Sequence, residues 1–349
     1  MKIYSAPVEV CLGITNQCNL NCKHCLAANT RQAPDLTTEE LLDVIRQIKE
    51  LIIFHVAIFG GEPLMRDDFF TILEALCNLK IRITLNTNGT LITKELAKRL
   101  ADYPIKSYTV SLDGASADVH DPFRGQGSFD KTLAGIQNLI TEKCNVLIST
   151  TVTQCNYRDL ENIVLLGKKL GATGVRFNEV VYVGNAACFN KKLVMTPQEK
   201  FGLLDKIKEL RNKFGGFLSG SIIQIADIMD EIKNNCKEEL PLRINSCGAA
   251  TVKCTIRPDG WVTPCDVIWD ITAGNLRETS LYEIWHNSPL FQELREPVEI
   301  KEKDIPECKG CEYLRLCYKG HRCRPYYNPG KLFEHKELYC WNDKVMRSA

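Results

Sequence analysis

Residues 8–25 read VEVCLGITNQCNLNCKHC. Val8–Ile14 is an apolar run of strand length, and the segment after it sets Cys18, Cys22 and Cys25 in the spacing C-x3-C-x2-C. Outward from this stretch the same pairing of strand and helix repeats. Leu36–Leu51 has a helical apolar period, with Thr37 or Thr38 near its cap and acidic residues in the first turn. Strands are expected at His55–Phe59, Ile81–Leu85, Ser107–Leu112, Val146–Val152 and Gly174–Val181. Helices are expected between them at Asp67–Leu79, Thr93–Leu100, Phe129–Thr141 and Arg158–Leu170. Strands alternating with helices predict βαβ units and a parallel sheet. Six such units predict an α/β fold, a partial (β/α)6 barrel rather than the closed eight-stranded one. In these sheets the chemistry gathers at the carboxyl ends of the strands. The least ordinary residues fall there: the cysteine loop, Gly60-Gly61-Glu62-Pro63, the stretch Asn86–Gly89, and Asp113-Gly114.

The chain has 349 residues, enough for a full domain and a smaller one. Lys plus Arg is 44 and Asp plus Glu is 43, so there is no basic excess of the kind a nucleic-acid partner calls for. No uninterrupted apolar run reaches the roughly 18 residues of a membrane span. The opening MKIYSAPVEVCLGIT has no apolar core of a secretory signal, so a cytoplasmic, reducing location is expected. Seventeen cysteines in that setting point to metal binding rather than disulfides. Leu193–Phe214 and Ser221–Asn234 read as bridging helices. Beyond about Leu240 turn residues rise, and eight of the 17 cysteines fall between Cys247 and Cys340. The expected division is therefore a core over 1–236 and a small, loop-rich, cysteine-rich domain over 237–349.

Three thiols so closely spaced can wrap one face of a metal site. Zinc usually takes four ligands from two separated pairs. A 4Fe-4S cluster on three thiolates leaves one iron open. The spacing alone admits both. The late cysteines run Cys247-x6-Cys254-x10-Cys265, then Cys308-x2-Cys311-x5-Cys317-x5-Cys323, then Cys340. Eight thiolates suit two fully ligated 4Fe-4S clusters, and Cys308-x2-Cys311 could also serve as a zinc knuckle.

Taken in order, C-x3-C-x2-C, the GGEP at Gly60–Pro63 and the Ser111-Leu-Asp113-Gly turn resemble the radical SAM superfamily from strand one through strand six. The late cysteines resemble its SPASM domain: twelve residues lie between Cys247 and Gly260, Gly260–Cys265 matches G-x4-C, and Cys308, Cys311 and Cys317 match the next run. The spacing from Cys317 to Cys323 departs from the family's x3.

The resemblance implies that Cys18, Cys22 and Cys25 hold a cluster whose open iron binds S-adenosylmethionine (SAM), and that reductive cleavage of SAM gives a 5′-deoxyadenosyl radical. It implies that Gly60 and Gly61 let the backbone approach the methionyl part, that Glu62 accepts from the SAM ammonium, and that Ser111 and Arg124 contact SAM. Asn88 is a further SAM candidate, or simply part of an Asn-Gly turn. His24 takes the family's aromatic position near adenine, or is a solvated loop residue. One auxiliary cluster is implied on Cys247, Cys254, Cys265 and Cys323, and a second on Cys308, Cys311, Cys317 and Cys340. If Cys254 is not a ligand, the first of these keeps an open iron. Asp266, directly after Cys265, is expected either as a base for a substrate radical or as a turn residue.

The resemblance implies oxidation of a ribosomal peptide or protein: a thioether, a carbon–carbon cross-link or formylglycine. Such chemistry needs an external electron donor of flavodoxin or ferredoxin type. Because strand one begins almost at once, a separate peptide-recognition protein or direct docking is expected. A haem-pathway decarboxylase, and a non-catalytic iron–sulfur or zinc protein, are the alternatives.

Overall fold

The computed structural model describes residues 4–28, 34–181, 184–188, 193, 195–223, 226 and 248–295. Cys247, Cys308, Cys311, Cys317, Cys323 and Cys340, most of the expected 221–234 helix, and the expected boundary at 236 lie outside those residues.

Six strands follow the predicted order: β1 (Glu9–Gly13), β2 (His55–Phe59), β3 (Arg82–Thr87), β4 (Ser107–Ser111), β5 (Val146–Val152) and β6 (Gly174–Glu179). Each pairs in parallel with the next. The crossovers carry α1 (Thr38–Glu50), α2 (Phe69–Cys77), α3 (Lys94–Ala101), α4 (Ala117–Arg124), α5 (Ser128–Thr141) and α6 (Leu160–Leu170). A short turn, α7 (Asn185–Cys188), and a long helix, α8 (Pro197–Phe214), lead to β7 (Leu218–Ser219), which pairs with β6. α1 starts where its sequence dictates. The Thr37 side chain accepts from the Glu40 backbone N–H and the Glu40 carboxylate accepts in return, a reciprocal cap that contributes about 1 kcal/mol.

The sheet does not stop at the expected boundary. β8 (Lys253–Ile256) lies parallel beside β1, and the hairpin partners β9 (Trp261–Thr263) and β10 (Gly274–Asn275) extend it. The full order is β10-β9-β8-β1-β2-β3-β4-β5-β6-β7. Two short helices, α9 (Leu281–Asn287) and α10 (Pro289–Arg295), follow, and Leu281, Trp285 and Phe291 join the main apolar core.

Alternation along each strand divides the sheet into two faces. Val10, Leu12, Val56, Ile58, Val175 and Phe177 are fully buried in the layer shared with the helices. The other face is polar. His55 Nδ1 lies 3.0 Å from Glu9 Oε2 and its Nε2 3.1 Å from Thr84 Oγ1, while Asn178 donates to Ser149 Oγ at 3.1 Å. This face is concave. Asp266, in the turn after β9, feels the charge of Arg176 on β6, although five strands separate β8 from β6 in the sheet. Only a curled sheet brings them within reach, so the polar face lines the lumen of a partial barrel.

Candidate active site

The cysteine loop is fastened from three sides at the carboxyl end of β1. Gly61 N–H donates to Thr15 O and Glu62 N–H to Gln17 O, both at 2.7 Å. At Gly61 an added Cβ would stand 2.1 Å from Gln17 O, so only glycine permits this approach. Lys23 N–H donates to Phe123 O at 2.8 Å, which ties the loop to α4. Asn185 closes the third side: its N–H donates to Cys25 O and its Nδ2 to Cys22 O, each at 2.9 Å. Gly184, at φ +57°, is the residue whose Cβ would meet Cys25 O at 2.4 Å.

Cys22 is buried, and burial pushes its thiol up to about 11, so ligation to a metal releases its proton. The charges of Cys25 and Cys18 both reach it. Among the described residues no three His, Cys, Asp or Glu side chains converge tightly enough for a single ion. Three thiols on one loop suit a four-iron cluster with one open iron better than a zinc ion, which takes four ligands.

Glu62 is fully buried at the end of β2. Its carboxylate accepts from Thr87 Oγ1 at 2.8 Å, from Asn88 N–H at 2.7 Å and from Leu64 N–H at 3.3 Å. Burial outweighs these donors and raises its pKa to about 7. Of a carboxylate's roughly four acceptor positions one is left for an ammonium. The side chain therefore also clamps the turn after β3. Asn88 belongs to that clamp: its Nδ2 donates to Asn19 Oδ1 at 2.9 Å and lies 4.0 Å from Cys18 Sγ, while its Oδ1 accepts from Thr90. Asn88 braces the cysteine loop through Asn19.

Behind Cys22 lies a buried charged network that the sequence did not announce. Arg124 Nε donates to Asp113 Oδ2 at 2.6 Å, and its Nη1 lies 3.9 Å from Cys22 Sγ. Asp113 Oδ1 accepts from Thr151 N–H at 2.8 Å. Arg124 and the neighbouring donors hold the Asp113 carboxyl below the usual range despite its burial. His24 Nε2 stands 3.3 Å from Asp113 Oδ2, and burial pushes its pKa down to about 4. A neutral His24 therefore donates from Nε2 and leaves Nδ1, which has no partner, as a buried acceptor. The solvated-loop alternative for His24 does not hold. Asp113 N–H donates to His120 Nδ1 at 3.1 Å, fixing a second neutral histidine. Ser111 ends β4 in register with Ser149 on β5. The bare Nδ1 of His24, the glycine approach at Gly61, the remaining Nη donors of Arg124 and the three-thiol set fit a cluster with SAM upon it.

The two late cysteines within the described residues part company. Lys253, on β8, falls on the lumen side, and the charge of Cys265, in the bend after β9, reaches it. Cys254, one residue on from Lys253, points into the apolar core, fully buried, and burial pushes its thiol up to about 12. Cys265 lies in a separate small apolar cluster with Ala249 and Ile268, so the structure places these two expected ligands in different clusters. Asp266 is paired with Lys253 Nζ, and this ammonium lowers its pKa. A carboxylate so held is a weaker base than a free one.

A model of the radical SAM superfamily matches residues 12–166, and one of an iron-sulfur cluster-binding domain, SPASM, matches residues 247–312. The AdoMet-dependent heme synthase of Methanosarcina barkeri is 32% identical over 96% of this chain and 97% of its own length. The mycofactocin maturase MftC of Mycobacterium tuberculosis is also 32% identical, over 90% of this chain and 78% of its own length. Among solved structures, Streptococcus suis SuiB bound to its precursor peptide SuiA superposes with a TM-score of 0.77 at 19% identity, covering 97% of this chain and 77% of SuiB. Among the described residues no helix is long and apolar enough to cross a membrane.

Proposed function

The chain belongs to the radical SAM superfamily, an enzyme whose cofactors are SAM and 4Fe-4S clusters, and from that premise we propose that it oxidises a ribosomally made peptide or protein. The observation that carries the reading is the pairing of the Cys18–Cys25 loop, braced by Gly61, Arg124 and Asn185, with a SPASM domain of the kind found in a maturase relative of equal identity. When bound, SAM and the reduced cluster supply a 5′-deoxyadenosyl radical that takes a hydrogen atom from substrate, and the auxiliary clusters take up the second electron.

The chain's own residues bind and orient. Cys18, Cys22 and Cys25 hold the first cluster. The backbone at Gly60 and Gly61 would approach the methionyl part, and the last acceptor position of Glu62 would take the ammonium. Arg124, held by Asp113, offers its Nη donors to the SAM carboxylate, with Ser111 beside it. His24 offers Nδ1 to the adenine. Burial of Glu62, Asp113 and Arg124 keeps water from this end of the barrel. Cys265, with Cys247 and Cys323, serves one auxiliary cluster; Cys308, Cys311, Cys317 and Cys340 serve the other. We place these in a domain over 237–349, joined to the core over 1–236. An electron donor of flavodoxin or ferredoxin type, and either a separate peptide-recognition protein or direct docking of the substrate, complete the system.

A second reading is a decarboxylase of a haem-type tetrapyrrole. It is favoured by the heme synthase relative, which this chain covers over almost its whole length. Mass spectrometry of candidate substrates after anaerobic incubation with reconstituted enzyme, SAM and dithionite separates the two. Loss of two hydrogens from a peptide, matched by 5′-deoxyadenosine, is the expected result. Loss of carbon dioxide from a tetrapyrrole, with every peptide unchanged, refutes the peptide reading.

A further inference from the structure

We propose that Arg176 binds a carboxylate of the substrate inside the barrel. The inference rests on the reading that this lumen is the reaction chamber, and it names a chemical feature of what enters.

The argument is one of charge and place. Val175 and Phe177 are fully buried against the helices, so Arg176 and Asn178 between and beyond them face the lumen. Among the described residues the other charges on this face are paired or exposed. Glu9 is paired with His55 at 3.0 Å, and Lys253 with Asp266. Arg82, in register with His55 at the start of β3, is exposed at the far, amino-terminal end. Arg257 is paired with Asp259. Arg176 is half-buried, and among the described residues its guanidinium makes no hydrogen bond or ion pair. Its two register neighbours, Ser149 and Ser219, are neutral. Asp266 feels its charge across the lumen but is already engaged by Lys253. A guanidinium cannot lose its proton, and its planar fork of five donors matches a carboxylate in two parallel hydrogen bonds.

The position is suited to substrate. Ser111, Ser149 and Arg176 form one row across β4, β5 and β6. At a strand spacing near 4.8 Å, Arg176 stands about 10 Å across the sheet from Ser111. A carboxylate held there leaves the body of the substrate to reach toward the SAM end. The carboxylate of SAM has its own candidate, Arg124, within 3.9 Å of Cys22 Sγ. A tetrapyrrole propionate and a peptide carboxylate share this chemistry.

The test uses the anaerobically reconstituted holoenzyme, wild type and the variants Arg176→Gln and Arg176→Lys. The probes are heme and its dimethyl ester, followed by the change in heme absorbance, and a fluorescent peptide with a free or amidated carboxyl terminus, followed by anisotropy. For one of these pairs the wild type binds the acid about tenfold or more tightly than its neutral counterpart. Arg176→Gln weakens the acid alone and erases the preference, while Arg176→Lys retains part of it. Iron content and substrate-free formation of 5′-deoxyadenosine stay at wild-type level in both variants. The proposal is overturned by wild-type protein with no acid preference in either pair, by an Arg176→Gln variant that keeps the preference, or by loss of substrate-free SAM cleavage in that variant, which would assign the arginine to SAM. Absence of 5′-deoxyadenosine in the wild type counts against the functional reading instead, and leaves the binding comparison to decide on Arg176.

Discussion

Replacing Asp113 by Asn tests whether the network behind Cys22 is an ion pair that organises the site. The side chains of Asp113 and Arg124 are 1% and 9% exposed, and their closest atoms are 2.6 Å apart. Asn keeps the shape and removes the charge, leaving Arg124 as a buried cation without its counter-ion. Breaking such a pair from one side costs about 3–5 kcal/mol, set by desolvation of the survivor rather than by the strength of the bond. Against a total stability of roughly 5–15 kcal/mol the chain still folds, with a melting temperature lower by about 5–10 °C. The second member of the cycle is Arg124→Gln, and the third carries both changes. Since the double variant no longer buries an unpaired charge, it recovers much of what Asp113→Asn loses, with a coupling of about 2 kcal/mol or more. The assay is chemical unfolding of the cluster-free protein. A double variant destabilised by the sum of the two single ones would refute the pairing, as would an Asp113→Asn protein that unfolds with the wild type.

Two further outcomes follow from the same geometry. Glu62 titrates near 7 in the folded protein against 4.5 for the ordinary group, so the unfolded chain gives up its proton first. Its contribution is present in full below pH 4.5 and is lost as pH rises through about 7, a decline of about 3 kcal/mol between those limits. Unfolding of cluster-free wild type and Glu62→Gln from pH 4.5 to 8 measures it; equal slopes would rule out a buried, proton-holding Glu62. Cys254 and Cys265 separate by iron content. Cys254→Ala retains the iron of the wild type and loses about 1–3 kcal/mol of stability through the small cavity, whereas Cys265→Ala loses up to about four irons per chain. Loss of iron from Cys254→Ala would mean that its thiol leaves the core to ligate.

The fold was legible because its signals are local. Apolar runs such as His55–Phe59 and Val146–Val152 have strand length, and both appear with those same bounds. The thiols and glycines of the site were legible because their spacing is short in sequence. What was not legible depends on neighbours far along the chain. His24 lies in a polar loop, and it is buried beside Asp113 and Phe123, about 90 and 100 residues further along the chain. α4 was unread because Pro122 interrupts its pattern, yet α4 carries Arg124. Asn185 meets the cysteine loop across some 160 residues, and nothing in its own surroundings marks it. β8 has four residues, too few for periodicity to declare it, and it pairs with β1 from beyond the expected boundary. The resemblance offered Cys254 as a ligand and left open that it is none; on β8 its side chain lies in the core.

The central claim is that the loop at Cys18, Cys22 and Cys25, with the residues that brace it, is a site for reductive cleavage of SAM. The most direct measurement is 5′-deoxyadenosine formed by anaerobically reconstituted protein supplied with SAM and dithionite, compared with Cys22→Ala at matched protein concentration. The wild type is expected to form 5′-deoxyadenosine, and Cys22→Ala to form none above the protein-free control. Iron-loaded wild type that forms none, or a Cys22→Ala protein that forms as much, would contradict the account.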